Sequence, residues 1–326
     1  MRYLITGGAG YLGAKLVSAL AARKGTTGIL IADLRPPRLR PPMTGFRKVD
    51  VRDAAALNEL VQSEQPDVLI HLAFVVDPTH DEPAMYDVNV NGAFNVLSAA
   101  SSAGVGQVLF MSAAMAYGAW PDNPTVINES RPVHGHAHYM YARHKAEADR
   151  IAQLWATLHP DRTMTIVRPC TIFGEGADNH FVRMWEGQPF FPDFGGTDHG
   201  TQFIDDNDAI AAIVGLIAGK HAGVFNLASD GEISWRQCAE LAGIEVRSVR
   251  EESFTSFASG MWRLKIQSAE IPPSFVDFFK HPWQISNVKI KHALPEWSPQ
   301  HSSRTVFERM IQERQRALAA GGPGIR

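Results

Sequence analysis

Thr6-Gly7-Gly8-Ala9-Gly10-Tyr11-Leu12-Gly13 stands between a short apolar run, Tyr3-Leu4-Ile5, and residues 14–22 (AKLVSALAA). The run reads as a buried strand and the following stretch as a helix, so the glycines occupy the turn between them. Gly7 permits a tight turn, Gly10 lets the backbone approach a pyrophosphate, and Gly13 lets the helix pack closely on the strand. The helix N-terminus then offers unpaired N–H groups and partial positive charge to phosphates. A glycine triplet alone also suits an ordinary turn. Strand, turn, helix and a downstream acid in this order make it a dinucleotide fingerprint.

Past the turn, apolar runs alternate with helical stretches. Residues 28–32, 46–49, 68–72, 107–111 and 164–167 read as strands, and 54–61, 84–103 and 139–158 as helices. That alternation implies a parallel sheet covered on both faces. Right-handed crossovers give a doubly wound, Rossmann-type α/β fold, with its ligand crevice at the carboxyl ends of the strands. The dinucleotide-binding domain is expected over 1–170. Beyond it the rhythm breaks, and residues 173–201, rich in Gly, Pro and aromatics, look like loops over a pocket. Residues 204–218 return to helix and 224–227 to strand, rejoining the first domain near 204–228. Residues 171–318 are expected to form mainly a smaller substrate-binding domain, and 319–326 a frayed tail. Phe254, Phe257, Trp262, Phe275, Phe278, Phe279 and Trp283 crowd residues 253–283. They either pack the core of that second domain or line an apolar pocket.

The 326 residues suffice for one large domain or two, and 45% hydrophobic with 20% charged residues is ordinary for a globular protein. A net charge of −3 without a basic face speaks against nucleic acid or an anionic membrane as partner. No apolar stretch is long enough to span a bilayer. Cys170 and Cys238 lie far apart in no metal-type spacing, which fits a reducing compartment. A fingerprint beginning this early leaves no place for a signal peptide, so a cytoplasmic location is expected.

Asp33 follows Gly13 by about twenty residues, at the end of a strand, where a carboxylate accepts hydrogen bonds from ribose hydroxyls and repels a 2′-phosphate. This favours NAD. Arg35, Arg38 and Arg40 keep NADP open, because a guanidinium there binds that phosphate. Tyr141 and Lys145 lie one helical turn apart on one face. Oxidising an alcohol by hydride transfer requires removal of its hydroxyl proton, and an ordinary phenol is a poor base at neutral pH. A nearby ammonium is expected to lower the phenol's pKa and make Tyr141 a working acid/base.

With those residues in place, the chain resembles the extended short-chain dehydrogenase/reductases, the NAD-dependent epimerase/dehydratase group, over nearly its whole length. TGGAGYLG at 6–13, Asp33, Asp50-Val51, His71-Leu72-Ala73, Asn89-Val90-Asn91-Gly92, residues 112–118, Tyr141 with Lys145, and Arg168-Pro169 carry the resemblance. Residues 202–208 and 294–299 extend it. The resemblance implies NAD over Gly7, Gly10, Tyr11, Leu12 and Gly13, with Asp33 and Arg35 by the adenosine ribose. It implies Asp50 and Val51 at the adenine, Leu72 and Ala73 along the cofactor, and Asn89 in support. Lys145 would also hold the nicotinamide ribose, and Pro169 would pack near the nicotinamide.

Two departures stand out. Similar enzymes carry a serine or threonine five residues before the glycine of Tyr117-Gly118, where this chain has Ala113. Its neighbour Ser112 is the expected substitute if a local bulge turns it inward, since adjacent side chains of an extended segment face opposite ways. Otherwise Thr171 or one of His134, His136 and His138 supplies the hydrogen bond. The three histidines read as a solvated loop rather than a metal site. Members acting on nucleotide sugars also clamp the diphosphate with arginines. Here one such position is Thr201, and residues 271–287 hold no arginine, leaving Arg183, Arg250 and Arg263 as substitutes. A buried diphosphate without cations is costly, so a less charged, more apolar substrate is expected.

The leading expectation is therefore an oxidoreductase acting on a secondary alcohol or ketone, with Tyr141 as acid/base, Lys145 as activator, and Ser112, Ala113 and Thr171 near the substrate. A nucleotide-sugar 4-epimerase or 4,6-dehydratase is the alternative, and a cofactor-binding protein with little turnover the third. Apolar residues on more than one face of the helices at 84–103 and 139–158 predict a homodimer.

Overall fold

The structure, a computed structural model, describes residues 1–186, 188–196, 198–264 and 272–319. Its main sheet contains β1 (Arg2–Thr6), β2 (Gly28–Asp33), β3 (Thr44–Lys48), β4 (Val68–His71), β5 (Gln107–Met111), β6 (Thr163–Pro169) and a seventh strand, Gly223–Leu227. From one edge the order is the seventh strand, β6, β5, β4, β1, β2, β3, with every pairing parallel. The doubly wound fold is as expected. Strand order reverses where β1 lies between β2 and β4, and a parallel sheet opens its ligand crevice at that switch point.

Period-two alternation sorts the side chains onto two faces. Leu4, Leu69, Val108 and Phe110 pack with Leu57, Val96, Leu97, Ala152 and Trp155 from α2 (Ala54–Glu64), α4 (Gly92–Ser102) and α5 (Met140–Leu158). Tyr3, Ile5, Ile70 and Leu109 turn the other way. They meet Leu16, Val17 and Leu20 of α1 (Tyr11–Ala21) and Ile213, Leu216 and Ile217 of helix Asp206–Ala218. Because both faces are covered, β4 and β5 are buried at every position.

The second apolar cluster continues without a break into Trp235, Phe275, Phe278, Trp283 and Phe307. Phe275, Phe278, Phe279 and Trp283 of the 253–283 stretch thus belong to the core, whereas on helix Glu251–Arg263 Phe257 is exposed, Phe254 meets Phe194 and Trp262 rests on His80. Residues 265–271 of that stretch, and 320–326 of the expected tail, lie outside the described residues.

The stretch expected as one helix over 84–103 is interrupted. Between α3 (Glu82–Tyr86) and α4, Asp87–Asn91 makes a π turn. The wider turn accompanies an inward-facing Asn89, whose Oδ1 accepts Val75 N–H at 2.7 Å while its Nδ2 donates to Val75 O at 3.1 Å. Such bulges recur at functional sites. Here it pins the loop leaving β4. On the far side, buried Arg168 of β6 makes a bidentate pair with Asp149 of α5 at 2.7 and 2.8 Å and donates to Tyr117 Oη at 2.8 Å. Charge-assisted bonds of this kind set where α5, and so Tyr141, stands.

Candidate active site

Gly7 has φ +73°, and a Cβ there would lie 2.5 Å from Ala73 N. A Cβ on Gly13 would run into Gly7 O and come within 2.7 Å of Gly8 Cα. Neither position accepts a side chain, as expected for the turn and for the close helix–strand contact. Gly10 differs, since its Cβ would meet only Gly7 O at 3.3 Å, so this glycine keeps the groove open. No side chain caps the start of α1 and no acid sits in its first turn. Its N–H groups and positive end thus remain available to a phosphate. Asp33 Oδ2 accepts Ala9 N–H at 3.0 Å and Oδ1 accepts Arg35 N–H at 3.3 Å, which fixes the carboxylate beside the turn. The cleft fits a dinucleotide.

One cavity of about 430 Å³ opens from this turn to α5. It brings together Gly7, Gly10, Tyr11, Leu12, Gly13, Leu72, Ser112, Ala113, Tyr141, Lys145, Pro169 and Thr171, all anticipated from the sequence. Asp33, Arg35, Asp50, Val51, Ala73 and Asn89 do not line it. Asn89 acts on it through Val75, while Asp50 pairs with Arg52 at 2.6 Å and Val51 abuts Gly92. The Tyr11 hydroxyl is taken by buried Asp206, which also pairs with Lys15 at 2.7 Å.

Tyr141 and Lys145 are both buried. The ammonium donates to Met111 O at 2.9 Å and lies 3.6 Å from the centre of the Phe74 ring, but 5.8 Å from that of Tyr141. Burial lowers Lys145 to about 7, and burial raises the Tyr141 phenol above its ordinary value. The expected lowering of the phenol is thus not found in the protein alone. Desolvation in a cleft walled by Phe74 and Phe181 outweighs the reach of the ammonium. Beneath the site, His71 shares a 2.7 Å hydrogen bond with Thr6, and burial with the nearby Lys145 charge pushes it down to about 3.

Ser112 and Ala113 are both among the residues lining the cavity, and Ser112 Oγ is buried with no hydrogen-bond partner. A buried orphan hydroxyl is costly unless a ligand completes it. Ala113 is extended at the entry to a 3₁₀ turn, Ala114–Tyr117. None of the three histidines lines the cavity. His136, far from solvated, is buried between Trp120 and Phe278 and pairs with Asp277 at 3.1 Å. No group of three or more His, Cys, Asp or Glu among the described residues is arranged to hold a metal.

The sequence reading missed the wall formed by Phe74, Val75, Val76 and Asp77 after β4, and by Asp178, Asn179 and Phe181. An apolar run that outlasts its strand, Leu72 to Val76, was the available signal. Thr201 is buried in a two-residue strand, away from the cavity, and Arg250 and Arg263 do not line it. Of residues 253–283, Trp283 alone among those described reaches it.

A switch-point crevice, a glycine turn and a tyrosine–lysine pair in one cleft define a dinucleotide-binding protein of the doubly wound class. The family model "NAD dependent epimerase/dehydratase family" matches residues 3–228, and the chain belongs to that family, whose cofactor is NAD. Over 173 residues it is 32% identical to the N-acetyl-α-D-glucosaminyl-diphospho-ditrans,octacis-undecaprenol 4-epimerase of Escherichia coli O157:H7, covering 53% of this chain and 49% of that protein. An uncharacterised protein of Mycobacterium tuberculosis H37Rv is 24% identical over 247 residues, 74% of this chain and 65% of its own. The chain thus spans about half to two thirds of these curated relatives. Its fold superposes on the dTDP-glucose 4,6-dehydratase of Streptomyces venezuelae, solved with NAD and TYD, with TM-score 0.74 at 21% identity over the whole of both chains. The Bacillus anthracis dTDP-glucose 4,6-dehydratase gives 0.71 at 17%, over 97% of each. No described helix is long and apolar enough to cross a membrane.

Proposed function

We propose that this protein is an NAD-dependent oxidoreductase for a secondary alcohol or ketone of a small, uncharged and largely apolar molecule. NAD, when bound, supplies the hydride acceptor or donor. The observation that carries the reading is the cavity wall. Tyr141 and Ser112 line one space whose other surfaces include Phe74, Val75, Val76, Met115, Ile172 and Phe181, and Lys145 is the one cation among the described lining residues. Gly7, Gly10 and Gly13 would seat the pyrophosphate, Asp33 the adenosine ribose, and Pro169 the nicotinamide end. Ser112 Oγ donates to the substrate oxygen and orients it. Tyr141 Oη exchanges the proton with that oxygen. With burial holding the phenol protonated, the protein starts ready to protonate a ketone oxygen. Lys145, kept in place by Met111 O, stabilises the phenolate that results.

The test is net NADH change with a panel of apolar alcohols and ketones. Tyr141→Phe is expected to lower the rate by roughly 10²–10⁴-fold, and Ser112→Ala by about 10²-fold. Redox-neutral turnover of UDP- or dTDP-sugars, with no net NADH change on any alcohol, refutes the reading. That result is the second reading, a sugar 4-epimerase or 4,6-dehydratase, which the names of the E. coli and S. venezuelae proteins favour. Ala113 favours the third, a cofactor-binding protein with little turnover. The protein is further proposed to act in the cytoplasm as a homodimer. Phe94 on α4 and Leu154 and Leu158 on α5 are 58–65% exposed, and a two-fold contact would cover them.

A further inference from the structure

Building on that reading of the cavity, we propose that Asp77 and Asp178 are specificity-determining residues that turn away anionic substrates. They present two carboxylates to the cavity and hold a guanidinium behind them. Both residues line the space. Arg183 gives Nη2 to Asp77 Oδ2 and Nη1 to Asp178 Oδ1, each at 3.1 Å. Asp77 Oδ1 also accepts the His180 backbone N–H at 3.0 Å and faces His180 Nδ1 at 3.2 Å, while His180 Nε2 meets the buried Tyr139 hydroxyl at 3.1 Å. These ties join the loop after β4 to the segment His180–Arg183 and to the start of α5. The carboxylates are therefore placed by the fold.

Burial works to raise the Asp77 carboxyl, but hydrogen bonds from His180 and Arg183 outweigh it and hold Asp77 below the ordinary carboxylate range, so it is ionised at neutral pH. Asp77 and Asp178 line the cavity whereas Arg183 and His180 do not, so this wall offers the space carboxylates rather than the guanidinium. The Lys145 ammonium is engaged by Met111 O and covered by Phe74. A phosphate entering here would stand beside two half-exposed carboxylates, like charge against like charge. A neutral alcohol or ketone meets no such penalty.

The experiment is calorimetric titration of UDP into NAD-saturated protein at fixed ionic strength, for the wild type, Asp178→Asn, Asp77→Asn, and Asp178→Asn combined with Arg183→Gln. Asp178 is half-exposed, so its change leaves the core untouched. UDP is expected to bind the wild type weakly and Asp178→Asn at least about tenfold more tightly, the worth of one hydrogen bond to a charged group. The gain is expected to vanish when Arg183 is also removed. UDP binding as tight to the wild type as to Asp178→Asn, no gain in either single variant, or a gain that survives loss of Arg183 each overturns the proposal. The wild type's NADH change with neutral alcohols is read separately, so failure of the proposed function is told apart from failure of this filter.

Discussion

Replacing Lys145 with methionine tests whether desolvation governs the site, because methionine keeps the length of the chain and the contact with Phe74 but cannot titrate. Burial lowers Lys145 from the ordinary 10.5 to about 7. A lysine whose folded pKa is depressed binds its proton more readily unfolded. Stability therefore rises with pH from about 7 towards 10.5, and the full burden of burying an ammonium is present below about 7. At pH 7 the folded group is half-protonated. At pH 9 it has shed nearly all of its proton, while the unfolded group keeps it. Linkage then gives the wild type about 2 kcal/mol more stability at pH 9 than at pH 7 from this residue alone. Denaturant unfolding of NAD-free wild type and Lys145→Met at both pH values isolates that gain, since all other titrating groups are shared. Parallel pH dependences for the two proteins would refute the argument. The ammonium would then be better solvated than its contacts with Met111 and Phe74 allow.

Gly13→Ala places a methyl against Gly7 O and Gly8 Cα, with backbone on both sides and no flexible neighbour to yield. It is expected to cost roughly 1–3 kcal/mol of stability and to abolish NAD binding, as read by thermal unfolding with and without NAD. For assembly, sedimentation of the wild type is expected near twice 35.8 kDa. Leu154→Asp, which charges the exposed strip on α5, is expected to shift it to the monomer. A wild type sedimenting as a monomer removes the two-fold contact from the account.

The class of fold was legible because its signals are local. Apolar runs of strand length, the spacing of Gly7, Gly10 and Gly13, and a tyrosine and lysine one turn apart each lie within a few residues of chain. The sequence reading also named Gly7, Gly10, Gly13, Tyr141, Lys145 and Pro169, which the fold brings to one cavity. It missed another wall of that cavity. Phe74 to Asp77 and Asp178 to Phe181 are about a hundred positions apart, and only the packing of the β4 loop against His180–Arg183 makes them one wall. His136 was misjudged for the same reason, since its partner Asp277 comes from a distant helix.

The order of residues by itself determined that this chain folds as a doubly wound sheet with a glycine turn for a dinucleotide, because periodicity and turn chemistry act between near neighbours. Tertiary structure decided the state of the chemistry. Burial is a property of the assembled cleft, and it alone raises Tyr141, lowers Lys145 and leaves Ser112 Oγ waiting for a partner. Desolvation depends on what surrounds a group from every side, and no stretch of sequence carries that.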